Sequence, residues 1–399
     1  MVNEKQHRFT QSRIRAKDAK NYLLLITYYL CPKYQAAVSP YTLSLTPSAS
    51  LTTYNRSQNL TKVKQVFVQS VQFCTMDTSF MQAAVFRKYG APEVVKIEMR
   101  PKPVPGAHEI LIRNYASAVN SGDWILRQAD PPVARLFTGL FRPKKNKQIL
   151  GAAFAGVVES VGNRVTEFKP GDHVFGATGF ALGTHATYVC VRQDSPIAVI
   201  ARDISFTDAA AIPFGATTAL HFLRKAKLKA GQEIMIYGAS GAVGTAAIQL
   251  AKYFGATVTA VCSAANKALV IDSGADYHID YNHPDFENHT GQYDVVFETV
   301  GKLPLKKAIA LTREDGTVIL GSGGFSNMLF AGGKARRKKR KLVTGLALEK
   351  KEEIAFLSTL LKAGAIRPVI DTIFPLNKIV DAHRLAQSGR KRGNAVVKL

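Results

Sequence analysis

Glu233-Ile234-Met235-Ile236-Tyr237-Gly238-Ala239-Ser240-Gly241-Ala242-Val243-Gly244 is the stretch whose reading decides the fold. An apolar run meets a glycine-rich turn, and helical periodicity follows over residues 245–253. A strand, a glycine turn and a helix N-terminus in that order make a cradle for pyrophosphate. Glycines let the backbone come close, and free N–H groups and the helix dipole meet the negative charge. The alternation continues: strand-like 257–261, helical 264–274, strand-like 294–298, helical 303–311, strand-like 317–320. This pattern predicts an α/β fold with a parallel, doubly wound sheet. Its expected ligand is a dinucleotide, held by Gly238, Ser240, Gly241, Ala242, Val243 and Gly244.

The turn departs from the usual G-x-G-x-x-G, because Ala239 stands at the first glycine position. Two other readings exist. One is a tight turn that binds nothing. The other is a hydrolase elbow, since residues 238–242 approach G-x-S-x-G without its last glycine. The strand before the turn, the helix after it and the repeat downstream favour the dinucleotide.

Charge then argues which dinucleotide. NAD-selective sites place an acid about 20 residues beyond the glycines, whereas NADP sites put a cation nearby. Here the chain reads Cys262-Ser263-Ala264-Ala265-Asn266-Lys267, with no acid until Asp272. Ser263 can donate a hydrogen bond to a 2′-phosphate and Lys267 can supply charge. Tyr281 is the candidate to close over it. NADPH is the expected cofactor, and the alternative makes Lys267 an ordinary solvated helix residue.

The 399 residues leave room for two or three domains. The formal net charge is +24 and unevenly spread: residues 1–80 carry ten Lys/Arg against three Asp/Glu. Four cysteines (Cys31, Cys74, Cys190, Cys262) have no paired spacing, so no disulfide framework or Cys-rich zinc module is implied, and a reducing, cytoplasmic setting fits. Residues 1–80 differ in composition from the rest, and their apolar stretch 22–31 is too short to span a bilayer. They read as a disordered extension or as sequence upstream of the true start, Met81. An address to a mitochondrion or other organelle is the alternative, with a secretory signal also considered. From Met81 to about residue 203 short strand-like runs alternate with Pro and Gly, which suggests a β-barrel-like unit.

Several ordered motifs now come together. They are Val119-Asn120-Ser121-Gly122-Asp123, the run Gly151-Ala152-Ala153-Phe154-Ala155-Gly156 continuing to Gly162, and Pro170-Gly171-Asp172-His173-Val174-Phe175-Gly176. Residues 209–218, the glycine turn and Phe297-Glu298-Thr299-Val300-Gly301 complete the set. Over residues 81–399 the chain resembles the medium-chain dehydrogenase/reductase superfamily, in its zinc-free, zeta-crystallin-like quinone oxidoreductase branch. The resemblance implies a GroES-like β-barrel catalytic domain (81–203, completed by 346–399) and a Rossmann domain (204–345). It also implies an active site in the cleft between them and a homodimer.

Zinc-dependent relatives bind catalytic metal through a Cys and a Gly-His-Glu at positions that here hold Asn120 and Gly151-Ala152-Ala153. Alanine cannot ligate and Asn is a poor zinc ligand, so no metal is expected. Without a Lewis acid, hydride transfer to a quinone or an α,β-unsaturated carbonyl is the favoured chemistry, because the acceptor already delocalises the charge. Enoyl-thioester reduction, or a cofactor-binding scaffold with an RNA-binding role, are the alternatives. Asn120 and Asp123 are the candidate catalytic residues, together with Thr218, which matches a family position beside the nicotinamide. Gly321, Ser322 and Gly323 match the nicotinamide-side loop. Ile125 stands where some quinone reductases have Tyr, which leaves the proton donor open between water and the cofactor ribose. His185 and Tyr188 read as packing residues. Lys334-Ala335-Arg336-Arg337-Lys338-Lys339-Arg340-Lys341 reads as a solvated loop, a nuclear-type address, or a patch for nucleic acid or an anionic membrane. No aromatic interleaves it, as nucleic-acid stacking would favour.

Overall fold

The computed structural model describes residues 79–289, 293–322 and 339–399. The expectations placed on residues 1–78, on Gly323 and on Lys334–Lys338 of the basic cluster fall outside them.

Two larger sheets are built. The first uses β3 (Glu109–Val119), β4 (Ala153–Val161), β5 (His173–Ala177), β6 (Tyr188–Arg192), β7 (Ile197–Val199), β14 (Ile370–Pro375) and β15 (Asn394–Lys398). Its order is β14-β15-β3-β4-β5-β7, with β6 also on β3. The C-terminal β15 joins antiparallel to β3, setting Ala395 opposite Val119. A small ribbon, β1 (Phe80–Phe86) with β2 (Val95–Pro101), lies beside it, bridged through Ala83 to Ala186 and Val85 to Ile149.

The second sheet uses β8 (Glu233–Tyr237), β9 (Thr257–Cys262), β10 (Tyr277–Asp280), β11 (Tyr293–Glu298), β12 (Thr312–Leu320) and β13 (Lys341–Thr344). All neighbours are parallel, in the order β10-β9-β8-β11-β12-β13. The order reverses between β8 and β11, the place where doubly wound sheets bind ligands. Both faces are covered, so Ile234, Met235 and Ile236 of β8 are all buried.

The helices are α1 (Ser121–Gln128), α2 (Arg135–Thr138), α3 (Phe206–Lys225), α4 (Ala242–Tyr253), α5 (Lys267–Asp272), α6 (Pro284–Asn288), α7 (Leu305–Ala310), α8 (Lys351–Lys362) and α9 (Ile379–Gln387). Ser205 caps α3 by accepting from Asp208 N at 3.0 Å. From that start α3 carries a small-residue face (Ala209, Ala210, Ala216, Ala219) into a core shared with Ala116, Ala155 and Phe175 of the first sheet and Ile234 and Ile236 of the second. One apolar core therefore holds the two sheets together.

Local readings shift by a few residues. Helix α4 starts at Ala242 rather than 245, because Gly241 caps it. The helical stretch expected from 264 opens as a 3-10 turn, Ala264–Asn266. The end of the basic cluster is not a free loop: Arg340 Nε and Nη2 donate to the Thr312 carbonyl, and Lys341 begins β13.

Gly244 is fixed by packing, since a Cβ there would lie 2.4 Å from the Gly238 carbonyl oxygen and 2.6 Å from the Ala239 Cα. Gly244→Ala is expected to destabilise the fold by about 1–3 kcal/mol in chemical denaturation. Gly122, in α1, has nothing within 4 Å of the same atom, and Gly122→Ala should gain up to about 1 kcal/mol. A Gly244→Ala protein as stable as wild type would mean that α4 does not pack against the turn as described.

Candidate active site

The turn after β8 folds tightly on β9. Gly238 and Ala239 both donate to the Val261 carbonyl, at 3.0 and 3.1 Å, and Gly241 N returns to the Gly238 carbonyl at 3.1 Å. Gly238 needs its positive φ of 78°, and Thr299 Oγ1 from the end of β11 closes the far side by donating to the Tyr237 carbonyl at 2.8 Å. Gly241 is different. Its φ of −82° is open to any residue, and an added Cβ would meet only the Gly238 oxygen at 3.5 Å. Neither backbone nor packing requires glycine there, and its open Cβ position leaves room for close approach of a ligand. Thr245 N is the first in α4 to bond back, to the Gly241 carbonyl at 2.9 Å, which leaves the N–H groups of Ala242, Val243 and Gly244 at the free helix end. The residues present therefore fit a dinucleotide pyrophosphate.

Just beyond the ends of β8 and β9, Asn266 joins elements that the sequence keeps apart. Its Nδ2 reaches Ser240 Oγ at 3.1 Å and Ser263 Oγ at 3.3 Å. Lys267 opens α5 as an exposed side chain. Tyr281 is half exposed, with its ring centroid 6.1 Å from that of Tyr237. The parallel register also sets Asp280 beside Cys262, so an acid the linear reading passed over stands at this edge. Its carboxylate accepts from Asn282 N at 2.9 Å, and such backbone bonds hold it below the usual range.

Asn120 is the buried N-cap of α1, set against Asp123 in a capping box, yet neither of its amide atoms completes a hydrogen bond among the described residues. Asp123 lies one turn on. Its carboxylate accepts from Asn120 N at 2.7 Å and from Gly151 N at 2.9 Å, so it clamps the two motifs that carry Asn120 and Ala152-Ala153. Burial pushes its carboxyl above the ordinary range, against the opposing pull of His185 and these two N–H groups. Behind it lie Arg127, His185 and His383, all buried. The two imidazoles meet edge to face at 5.5 Å, and His185 Nε2 sits 3.4 Å from the Ala118 carbonyl. Burial lowers both histidines and brings Arg127 down to about 10. Tyr188 packs under Lys102, whose Nζ lies 4.1 Å from the ring centroid.

Thr218 is inside α3, and its hydroxyl donates back to the Phe214 carbonyl at 2.8 Å. Gly321 N donates to the Glu298 carbonyl at 2.8 Å, and Ser322 follows as an exposed residue. The Glu298 carboxylate gathers the N–H groups of Val300, Gly301 and Lys302 at 2.8, 2.6 and 3.2 Å and so shapes the loop after β11. A cavity of about 370 Å³, lined among others by Glu298, Gly301 and Leu320, opens at this end of the sheet.

One contributor went unseen in the sequence. The loop before β15 reaches the glycine turn, where Gly393 N donates to the Ser240 carbonyl at 2.8 Å and Gly393 bridges Gly241. In that loop Lys391 Nζ donates to the Gly393 carbonyl, and burial brings its ammonium down to about 8. No group of three or more His, Cys, Asp or Glu among the described residues could hold a metal.

Residues 106–201 match the alcohol dehydrogenase GroES-like domain, and residues 273–397 match a zinc-binding dehydrogenase family. The chain is 32% identical to a 2-methylene-furan-3-one reductase of Solanum lycopersicum, over 80% of this chain and 79% of that protein. It is 30% identical to an NADPH-dependent alkenal/one oxidoreductase, chloroplastic, of Arabidopsis thaliana, over 79% of each. The solved quinone oxidoreductase of Coxiella burnetii superposes with a TM-score of 0.73 at 30% identity, covering 80% of this chain and 99% of that one. The chain belongs to the quinone oxidoreductases of the medium-chain dehydrogenase/reductase superfamily. Its parallel sheet is the nicotinamide-cofactor unit of that superfamily, and its first sheet is the GroES-like part.

Gly241→Asp puts a carboxylate where the phosphates would lie without disturbing the turn. Fluorescence titration should show dinucleotide affinity weakened at least about 100-fold, the order expected when a charge-assisted contact is replaced by like-charge repulsion. The melting temperature should stay close to wild type. Unchanged affinity would remove the turn from the site.

Proposed function

We propose that this oxidoreductase uses NADPH to reduce a quinone or the activated double bond of an enone, without a metal. The observation that carries the reading is the pairing of a free helix end at Gly241 with a buried, unpartnered amide at Asn120. The relatives named for quinones and alkenals or enones support the acceptor class.

The bound nicotinamide would supply a hydride. Asn120 meets the carbonyl oxygen as it gains charge, donating through Nδ2. Its lack of a protein partner costs about 1–3 kcal/mol in the free enzyme, a cost that a ligand's hydrogen bond would offset. Asp123 positions Asn120 and the Gly151 turn through its two backbone bonds. With Ala152 and Ala153 in place of ligating side chains, a hydrogen bond does the work that zinc does in the metal-dependent relatives. The Thr218 hydroxyl is held by Phe214, so its contribution is its methyl and shape against the ring.

Asn120→Ala separates function from folding. It should lower kcat about 10²-fold with stability changed by no more than about 1 kcal/mol, since removing an unmet amide offsets the loss of a helix cap. Equal turnover would exclude Asn120 from the chemistry.

Cofactor choice rests on Lys267 against Asp280. The direct test is oxidation of NADPH and of NADH, in parallel, against short quinones and enones. Wild type should favour NADPH, and Lys267→Glu should raise KM for NADPH far more than for NADH. Equal losses would count against a 2′-phosphate contact. No turnover with any acceptor, despite tight binding, would favour the scaffold reading.

A further inference from the structure

The segment between α1 and β4 carries an exposed apolar surface to which the proposed hydride chemistry assigns no role. Ala134, Thr138, Gly139 and Pro143 are buried and act as its roots. Tyr89 donates to the Gly139 carbonyl and bonds Thr138 Oγ1 at 2.8 Å, while Lys144 N donates to the Thr138 carbonyl at 2.8 Å. From this anchored base Leu136, Leu140 and Phe141 stand out at 71%, 59% and 88% exposure. Phe137 joins them, stacked on Phe180 at 4.7 Å, and both rings are more than two-fifths exposed.

Cations collar these apolar tips. Arg135, Arg142, Lys144 and Lys145 are exposed, and none has an ion pair among the described residues. Arg135 lies over the Tyr89 ring at 5.4 Å. The sequence has no Asp or Glu between Asp130 and Glu159. On the Phe180 side Glu349 lies close to Gly179, and burial pushes its carboxyl upward, toward the neutral form.

We propose that this knob docks the protein on an anionic lipid bilayer, with Leu136, Leu140 and Phe141 entering the interface and the four cations meeting lipid phosphates. Apolar tips with a basic collar match an interfacial anchor, in which buried apolar area and attraction to anionic lipid add. A large exposed apolar cluster on a soluble surface marks an interaction site. A second copy fits poorly, because a two-fold contact would set these four cations against their own equivalents. The tips protrude rather than line a groove, which suits a deformable partner. The knob adjoins the site: Phe180 follows Thr178, whose N–H donates to the Ala152 carbonyl at 2.7 Å. If the acceptor is a quinone or long enone, docking brings the enzyme to the phase where such molecules dissolve. That consequence rests on the proposed reaction, whereas the docking does not.

The test is flotation of the full chain with vesicles of phosphatidylcholine alone and with vesicles that also contain phosphatidylserine at about a third of the lipid, an anionic surface of the kind that attracts basic segments. Wild type, Leu140→Asp/Phe141→Asp and Lys144→Glu/Lys145→Glu are compared, with melting temperatures confirming that each is folded. The expected result is binding of wild type to the anionic vesicles and at least a tenfold loss in both variants. The full chain also carries its basic N-terminal segment, so binding that is unchanged in both variants would assign it elsewhere and overturn the proposal. Absence of wild-type binding would overturn it as well. Self-association of wild type that the Asp variant abolishes, with no vesicle binding, would overturn it in favour of a contact between copies.

Discussion

The structure turns on the chain's return from the second sheet to the first. Strand β15 completes the first sheet against β3, and the loop just before it pairs with the glycine turn through Gly393 and Ser240. One short segment thus fixes where the helix N-terminus of α4 lies relative to the GroES-like sheet. If this tie were absent, the shared core beneath α3 would still join the layers, but the glycine turn would lose its fixed distance from Asn120. Lys391 belongs to the same loop, so a cation enters this junction at the cost of desolvation.

The second constraint is the buried polar group behind Asn120. Asp123 spends both oxygens on backbone N–H groups, a use that specifies loop geometry rather than proton transfer. Around it Asn120, Arg127, His185 and His383 keep polar atoms without partners among the described residues. At about 1–3 kcal/mol per unmet buried group, such a cluster opposes folding. Its place around Asn120 fits the general pattern in which local frustration collects at functional sites.

The repeat around 233–320 was legible because each strand is a short apolar run ended by glycine or a polar turn, which is how a doubly covered parallel strand reads. Helix α4 begins earlier than its periodicity suggests, since Gly241 caps without a side chain and leaves no mark in the pattern. Strand β13 begins at the last residue of the basic cluster, where charge at Lys341 masks an edge position. Asn120 and Asp123 stood out through their motif, yet their unequal roles come from burial and hydrogen bonds that no spacing records. Asp280, His383 and the Gly393 loop reach the site only through register and topology. For Asp280 there was one available signal, its place at the end of the third strand, one strand over from Cys262.

Hydrogen–deuterium exchange with and without NADPH tests the central claim most directly. The account predicts that cofactor slows exchange in two separated segments together: the amides of Ala242, Val243 and Gly244, and the loop around Gly393 and Asn394. Protection elsewhere on the surface with both segments unchanged would contradict it, because the dinucleotide would then bind away from the turn that the whole arrangement positions.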